Sequence, residues 1–248
     1  MATTWAAVSG RPRSVTATCT TGSESAPTAP AKASGTATLV SVAAGDTLVL
    51  AGVMFTASAS DNTGLNFLQS GTDTADAANL AAAINRYSQQ THCSATSATN
   101  VVTITALEYG TAGNAIMLAE TGTTITVSAA TLANGVNYFG VNLDGVGAIN
   151  LTLRAASGQT VSGGTMKCYT WDEDSGVVAS CTDLDLSVTA AALRSYSFAG
   201  PAPGFGIPVI GMRGYMGWVP SGVTVSSGSV VVDHLACAAE LTDLGKVI

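Results

Sequence analysis

The chain has 248 residues, 47% of them apolar and only 10% Asp, Glu, Lys or Arg, with a formal net charge of −7. That length holds one large domain or two ordinary ones with real cores. Nine basic residues exclude direct nucleic-acid binding by phosphate neutralisation, and the acidic balance argues against attraction to anionic membranes.

Ordinary globular proteins carry about 25% charged residues; here Ala, Thr, Ser, Gly and Val take their place. Such a surface is soluble yet cheap to desolvate, because few ions must lose their water on burial. It suits a protein packed against copies of itself or other subunits, and equally a secreted, protease-resistant β protein. No apolar run reaches the ~18 residues of a membrane-spanning helix. Met1 to Arg13 lacks the basic-then-apolar pattern of a secretion signal, so synthesis and retention inside a cell are expected. Five cysteines, at 19, 93, 168, 181 and 237, form no CxxC pair. His234 and Cys237 are the only local approach to a zinc site, and further ligands are missing. Buried thiols are expected, Cys168 and Cys181 apart.

In chain order, residues 1–35 read as an extended arm. Pro27 and Pro30 lie in a Ser/Ala/Thr-rich stretch without apolar period, which cannot order itself alone. Trp5 on this arm is a candidate interface residue, since an aromatic there needs a neighbour to dock against. Residues 36–135 form an α+β unit. Strands are expected over 36–42 and 47–59, with turns at Ala44-Gly45-Asp46 and Ala51-Gly52. Ala77, Leu80, Ile84 and Tyr87 share one face of the one convincing helix, capped by Asp73 or Thr74. A hairpin over 93–107 turns at Thr99-Asn100, Gly110 to Asn114 marks a turn, and a last strand covers 123–128.

These segments, Ala-Gly-Asp-Thr-Leu (44–48), Gly52-Val-x-Phe-Thr-Ala, Ala77-Ala-Asn-Leu-Ala-Ala-Ala-Ile-Asn, Val101-Val-Thr-Ile-Thr-Ala and Gly110-Thr-Ala-Gly-Asn-Ala-Ile, together resemble a small module of tailed-bacteriophage virion proteins, found in sheath, fibre, baseplate and head-associated proteins. The resemblance spans about residues 36–135. It implies a virion structural role, with synthesis in a host cytoplasm, and supplies no catalytic residue.

Residues 136–248 read as a β-sandwich or jelly-roll-like domain, with strands expected over 138–143, 148–154, 165–171, 177–183, 186–189, 195–198 and 230–237. The segment 201–220 reads as a long loop keeping large apolar residues. Phe205, Met212, Tyr215, Met216 and Trp218 are therefore candidate interface residues. The fold class expected is mainly β with one helix.

Asp172, Glu173 and Asp174 crowd a hairpin tip. They could ligate calcium, but without EF-hand spacing they read as turn formers. Cys168 and Cys181 flank this tip symmetrically and are a candidate disulfide: a two-residue turn would oppose them in a bridgeable non-hydrogen-bonded pair, a four-residue turn in a hydrogen-bonded one. A reducing cytoplasm favours thiols, an oxidising medium a bridge. His92 and Cys93 are adjacent, so on a strand they face opposite ways. No Gly-x-Ser-x-Gly elbow or phosphate loop is present. A glycosidase pair among Asp144, Asp172, Asp183 and Asp185 is the residual enzymatic alternative.

The expected function is a non-catalytic virion structural protein without cofactor, decorating or cementing a capsid, partnered by copies of itself (as a trimer) and by other virion proteins such as the major capsid protein. The alternatives are a tail, collar or fibre component binding a host surface, and a polysaccharide-degrading virion enzyme.

Overall fold

The structure, a computed structural model, describes residues 4–5, 14–20, 26–144, 146–155, 161–162, 165–181, 184–185, 193–199, 214–221, 224–225 and 229–238. The chain is mainly β, in antiparallel sheets, with one long helix and a one-turn helix after it. It forms two compact units, and they are not consecutive. A central unit, Pro30–Asn137, is inserted into a flanking unit made of Met1–Ala29 and Tyr138–Ile248. The boundaries expected at 35 and 135 thus shift outward only slightly, but the arm does not stand apart. Its Ser14–Thr20 segment is a strand in the flanking unit's sheet, and Lys32 already begins a strand of the central unit. The Ser/Pro composition that suggested an arm belongs to the connection between these two strands.

In the central unit, Lys32–Leu39 alternates half-buried and buried positions, so Ala33, Gly35, Ala37 and Leu39 face inward. Gly35 is small for a reason: a Cβ there would approach Leu132 Cδ2 to 2.9 Å. This strand joins Ile125–Val127, Val101–Tyr109 and Cys93–Ala98 in one sheet. A second sheet runs Asn66–Leu68, Val53–Ser58, Thr47–Leu50, Leu118–Thr121, with only the Asn66–Leu68 pairing parallel. The turn between Thr47–Leu50 and Val53–Ser58 puts Ala51 at φ 51° and Gly52 at φ 80°, the two positive values that a twisted two-residue hairpin needs.

The helix Asp73–Arg86 begins at Thr72, whose hydroxyl accepts the Ala75 N–H at 3.4 Å. Thr72 thus caps the helix, one residue before the expected Asp73 or Thr74. Its buried face carries Ala77, Leu80, Ala81 and Ile84, which join Phe55, Phe67, Val102, Ile104 and Leu118 in one apolar core. Asp76 is buried at 1% exposure, and Ser70 satisfies it with both its N–H and its hydroxyl. A buried carboxylate held this way avoids most of its desolvation cost.

The flanking unit is sandwich-like. One sheet runs Thr4–Trp5, Ser14–Thr20, Ser229–Ala238, Val146–Ala155, Leu193–Ala199. The facing sheet runs Val141–Asn142, Tyr215–Ser221, Thr165–Trp171, with Ala179–Ser180 and Leu184–Asp185 both pairing Thr165–Trp171. Met166, Cys168, Met216 and Trp218 share one face of this second sheet by register, and all are buried. The segment read as a loop over 201–220 therefore ends in a strand, Tyr215–Ser221. Gly214, Gly217 and Pro220 gave it the composition of a loop. The entry to the sheet is tight: Gly140 sits at φ 72°, and a Cβ there would fall 2.0 Å from the Met216 carbonyl oxygen.

Candidate functional site

Three of the six candidate interface residues are core. Tyr215 is 2% exposed, and Met216 and Trp218 are fully buried. They pair in register with Trp171, Thr170 and Cys168 in the middle of a sheet, so they stabilise the flanking unit and offer nothing to a partner. Trp5 is a strand residue opposite Ala17; Phe205 and Met212 lie outside the described residues.

Tyr215 belongs to an aromatic cluster. Tyr138 stacks on it at 4.1 Å between ring centroids, and Trp171 lies 5.7 Å from Tyr215 and 5.8 Å from Tyr138. Burial, and then the neighbouring Tyr215 hydroxyl, push the Tyr138 phenol well above its usual range, so it stays a donor. It donates to Glu173 Oε1 at 3.3 Å, tying the acidic hairpin tip to the sheet below.

At that tip, Asp172 accepts the Ser175 N–H at 2.7 Å and the Ser175 hydroxyl at 2.8 Å. These bonds, the backbone one first, hold its carboxyl below the ordinary aspartate range. The carboxylate is occupied in closing a turn. Among the described residues, no three or more His, Cys, Asp or Glu side chains gather as metal ligands would. The hairpin loop is longer than expected, since pairing ends at Thr170–Ala179. Cys168 and Cys181 still oppose each other, with the Cys181 N–H donating to the Cys168 carbonyl at 2.9 Å. Both carry thiols; Cys168 is fully buried and Cys181 half-buried.

Of the other chemical candidates, His92 and Cys93 separate, and so do Asp172 and Asp185. His92 is exposed at φ 53°, whereas Cys93 is fully buried, and burial alone pushes its thiol up to about 11. His234 and Cys237 lie in Ser229–Ala238, opposite Leu151 and Ala148. Asp185 pairs with Thr165 at one end of the Thr165–Trp171 strand, and Asp172 follows its other end. A strand of that length separates them by roughly 20 Å, beyond the ~5–9.5 Å of glycosidase carboxylates. Asp183 lies outside the described residues.

The central unit is built differently at its rim and on its outer face. Side chains from the helix close two sheet edges. The Asn85 amide donates to the Ala95 carbonyl and accepts the Ala95 N–H, both at 2.8 Å, standing in for a neighbouring strand. Asn79 donates to the Leu68 carbonyl at 2.8 Å and Arg86 to the Asn66 carbonyl at 2.9 Å. The opposite rim is covered by residues 130–132, whose backbone bonds Ile116 and Leu118. Covered edges resist strand addition.

What the unit leaves open is a face. In the second sheet, Leu48, Phe55, Ala57, Phe67 and Leu118 point inward, so Val49, Met54, Thr56, Asn66, Leu68, Ala119 and Thr121 point outward by alternation, while Thr47 on that side is itself buried. None of these outward residues is charged, and the carboxylate beside them is that of Asp61, which accepts from the Asn66 amide at 2.7 Å at one edge of the face. Met54 is 52% exposed and Met117, one alternation before Ala119, is 46% exposed. Val49 pairs with both Met54 and Ala119, completing an apolar row across three strands. Sequence reasoning passed over these methionines. The available signal was Met54 itself, a large apolar residue at an outward strand position beside inward Phe55.

Among the described residues, no helix is long and apolar enough to cross a membrane. Compared with protein families, with characterised proteins and with solved structures, the chain matches none.

Proposed function

We propose that the chain is a non-catalytic structural subunit of a tailed-phage virion, bound to the outside of the capsid as a decoration or cement protein. The observation that carries this reading is the outer face of the central unit, with an apolar row across three strands and Met54 and Met117 exposed on it while the edges of its sheet are covered. Uncharged outward residues lose little on desolvation, and methionine adapts to an irregular partner surface. Covered edges direct association to that face rather than to open-ended strand pairing. Cementing needs many modest contacts of this kind across subunits and no chemistry. The order of segments resembling the phage module falls inside this same unit.

The test is incubation of the purified chain with undecorated capsids, followed by sedimentation and capsid melting. Binding that raises the capsid melting temperature, and that Met54→Glu with Met117→Glu abolishes without lowering the chain's own stability, is the expected result. A folded chain that ignores capsids but binds host cells or glycans would overturn it and make the tail reading the working one.

A further inference from the structure

The N-terminal strand is held by the flanking unit yet is covalently remote from it. Ser14–Thr20 pairs antiparallel with residues 229–235 through seven registered positions, from Ser14–Leu235 to Thr20–Ser229. On its other side it carries Thr4–Trp5. The Thr20 end enters no turn towards Ser229. The chain runs instead through Ser23, Ser25, Pro27 and Pro30 into the central unit, and returns to the strand's partner only after that whole unit and most of the sandwich. The eleven residues between Thr20 and Lys32 can span up to about 40 Å.

From this the geometry points to strand exchange: the edge of Ser229–Ala238 is an acceptor that a second copy's Ser14–Thr20 can fill in place of the chain's own. The ladder is main-chain hydrogen bonding, which any copy supplies identically, so exchange forfeits no contact. Ala17 is fully buried, Thr16 and Thr18 are half-buried, and Ser14 is exposed. With the central unit folded, its ends pair at Ala31 and Val136, so the cis tether is the eleven-residue connection, whose effective concentration is of millimolar order. Copies of the chain at millimolar concentration reach that range, and there the second copy competes with the first on equal terms. The inference concerns the chain and its own copies, and stands apart from the capsid reading.

Thr18 and Val231 are registered partners, both half-buried, and they permit a decisive test. A Thr18→Cys chain and a Val231→Cys chain are mixed in urea, refolded together at the highest soluble concentration and oxidised with glutathione disulfide. Each cysteine's partner position is then on the other chain only, so a disulfide between them reports exchange. The expected result is a covalent heterodimer on a non-reducing gel, with the linked 18–231 peptide found by mass spectrometry and absent when either variant is refolded alone. A chain carrying both substitutions is the control. If it closes its bond within one chain while the mixture yields no heterodimer, the strand stays in cis and the proposal is overturned. If the bond closes in neither, the Ser14–Thr20 pairing itself is wrong and the proposal falls with it.

Discussion

Asn85 offers the sharpest test of how the central unit is closed. Its amide makes two 2.8 Å bonds to the backbone of Ala95, a residue 5% exposed, so water does not readily replace it. Asn85→Ala removes both bonds and leaves a donor and an acceptor poorly solvated. At about 0.5–1.5 kcal/mol for each net bond, plus part of the penalty for stranding buried groups, the loss should be about 2 kcal/mol. For a unit of this size that corresponds to about 8 °C in melting temperature. Asn85→Asp keeps an acceptor for the Ala95 N–H but turns a carboxylate oxygen towards the Ala95 carbonyl, so it should cost at least as much. Urea melts followed by circular dichroism give the energies. Hydrogen exchange localises the effect: the Ala95 amide should lose protection ahead of the rest of Cys93–Ala98. Stability within about 0.5 kcal/mol of the parent for both variants would refute the edge-closing role.

Other outcomes follow from the same packing. Trp218→Ala should destabilise the flanking unit by about 3–5 kcal/mol, because a fully buried indole leaves a cavity; lost association at unchanged urea midpoint would restore the interface reading. Gly140→Ala should prevent or severely weaken folding, as a methyl would meet the Met216 carbonyl at a positive φ, and a soluble variant of parental stability would contradict that entry geometry. Asp172, with its carboxyl held below the ordinary 3.8 by Ser175, contributes stability that is in place above that value and is lost as pH falls through the lowered one; a carbon-detected titration placing Asp172 at or above the ordinary value would refute the turn-closing bonds. Cys93, raised from 9.0 to about 11 by burial, should resist thiol reagents at pH 8 while half-buried Cys181 is labelled. Its contribution is complete below about 9 and fades as pH rises towards 11, and native-state labelling of Cys93 would contradict its burial.

Local signals were legible wherever a side-chain period and its turn chemistry agreed. The helix announced itself through Ala77, Leu80 and Ile84, and Thr165–Trp171 kept its expected bounds. The hairpin turn at Ala51-Gly52 was visible because only a positive-φ pair closes two strands so tightly. What escaped was whatever depended on distant partners. Ser14–Thr20 is Thr- and Ala-rich and becomes a strand because Ser229–Ala238 offers it a ladder, which no local pattern announces. Tyr215–Ser221 is buried on both faces from Tyr215 to Val219, so it lacks the alternation by which half-exposed strands are recognised. The outer sheet face was equally hidden, since it exists only once three strands take register.

The ends of the central unit meet. Ala31 and Val136 exchange both backbone bonds, at 3.1 and 2.9 Å, beside the points where the chain enters and leaves. Such a unit behaves as a cassette. It can be excised between residues 29 and 138 and the gap closed by a short turn, or another domain with adjacent termini can be spliced in its place. It also behaves as a zipper under load. Tension carried through the two connections falls first on the Ala31–Val136 pair and opens the unit one bond at a time from its neck, leaving the helix-packed core until last.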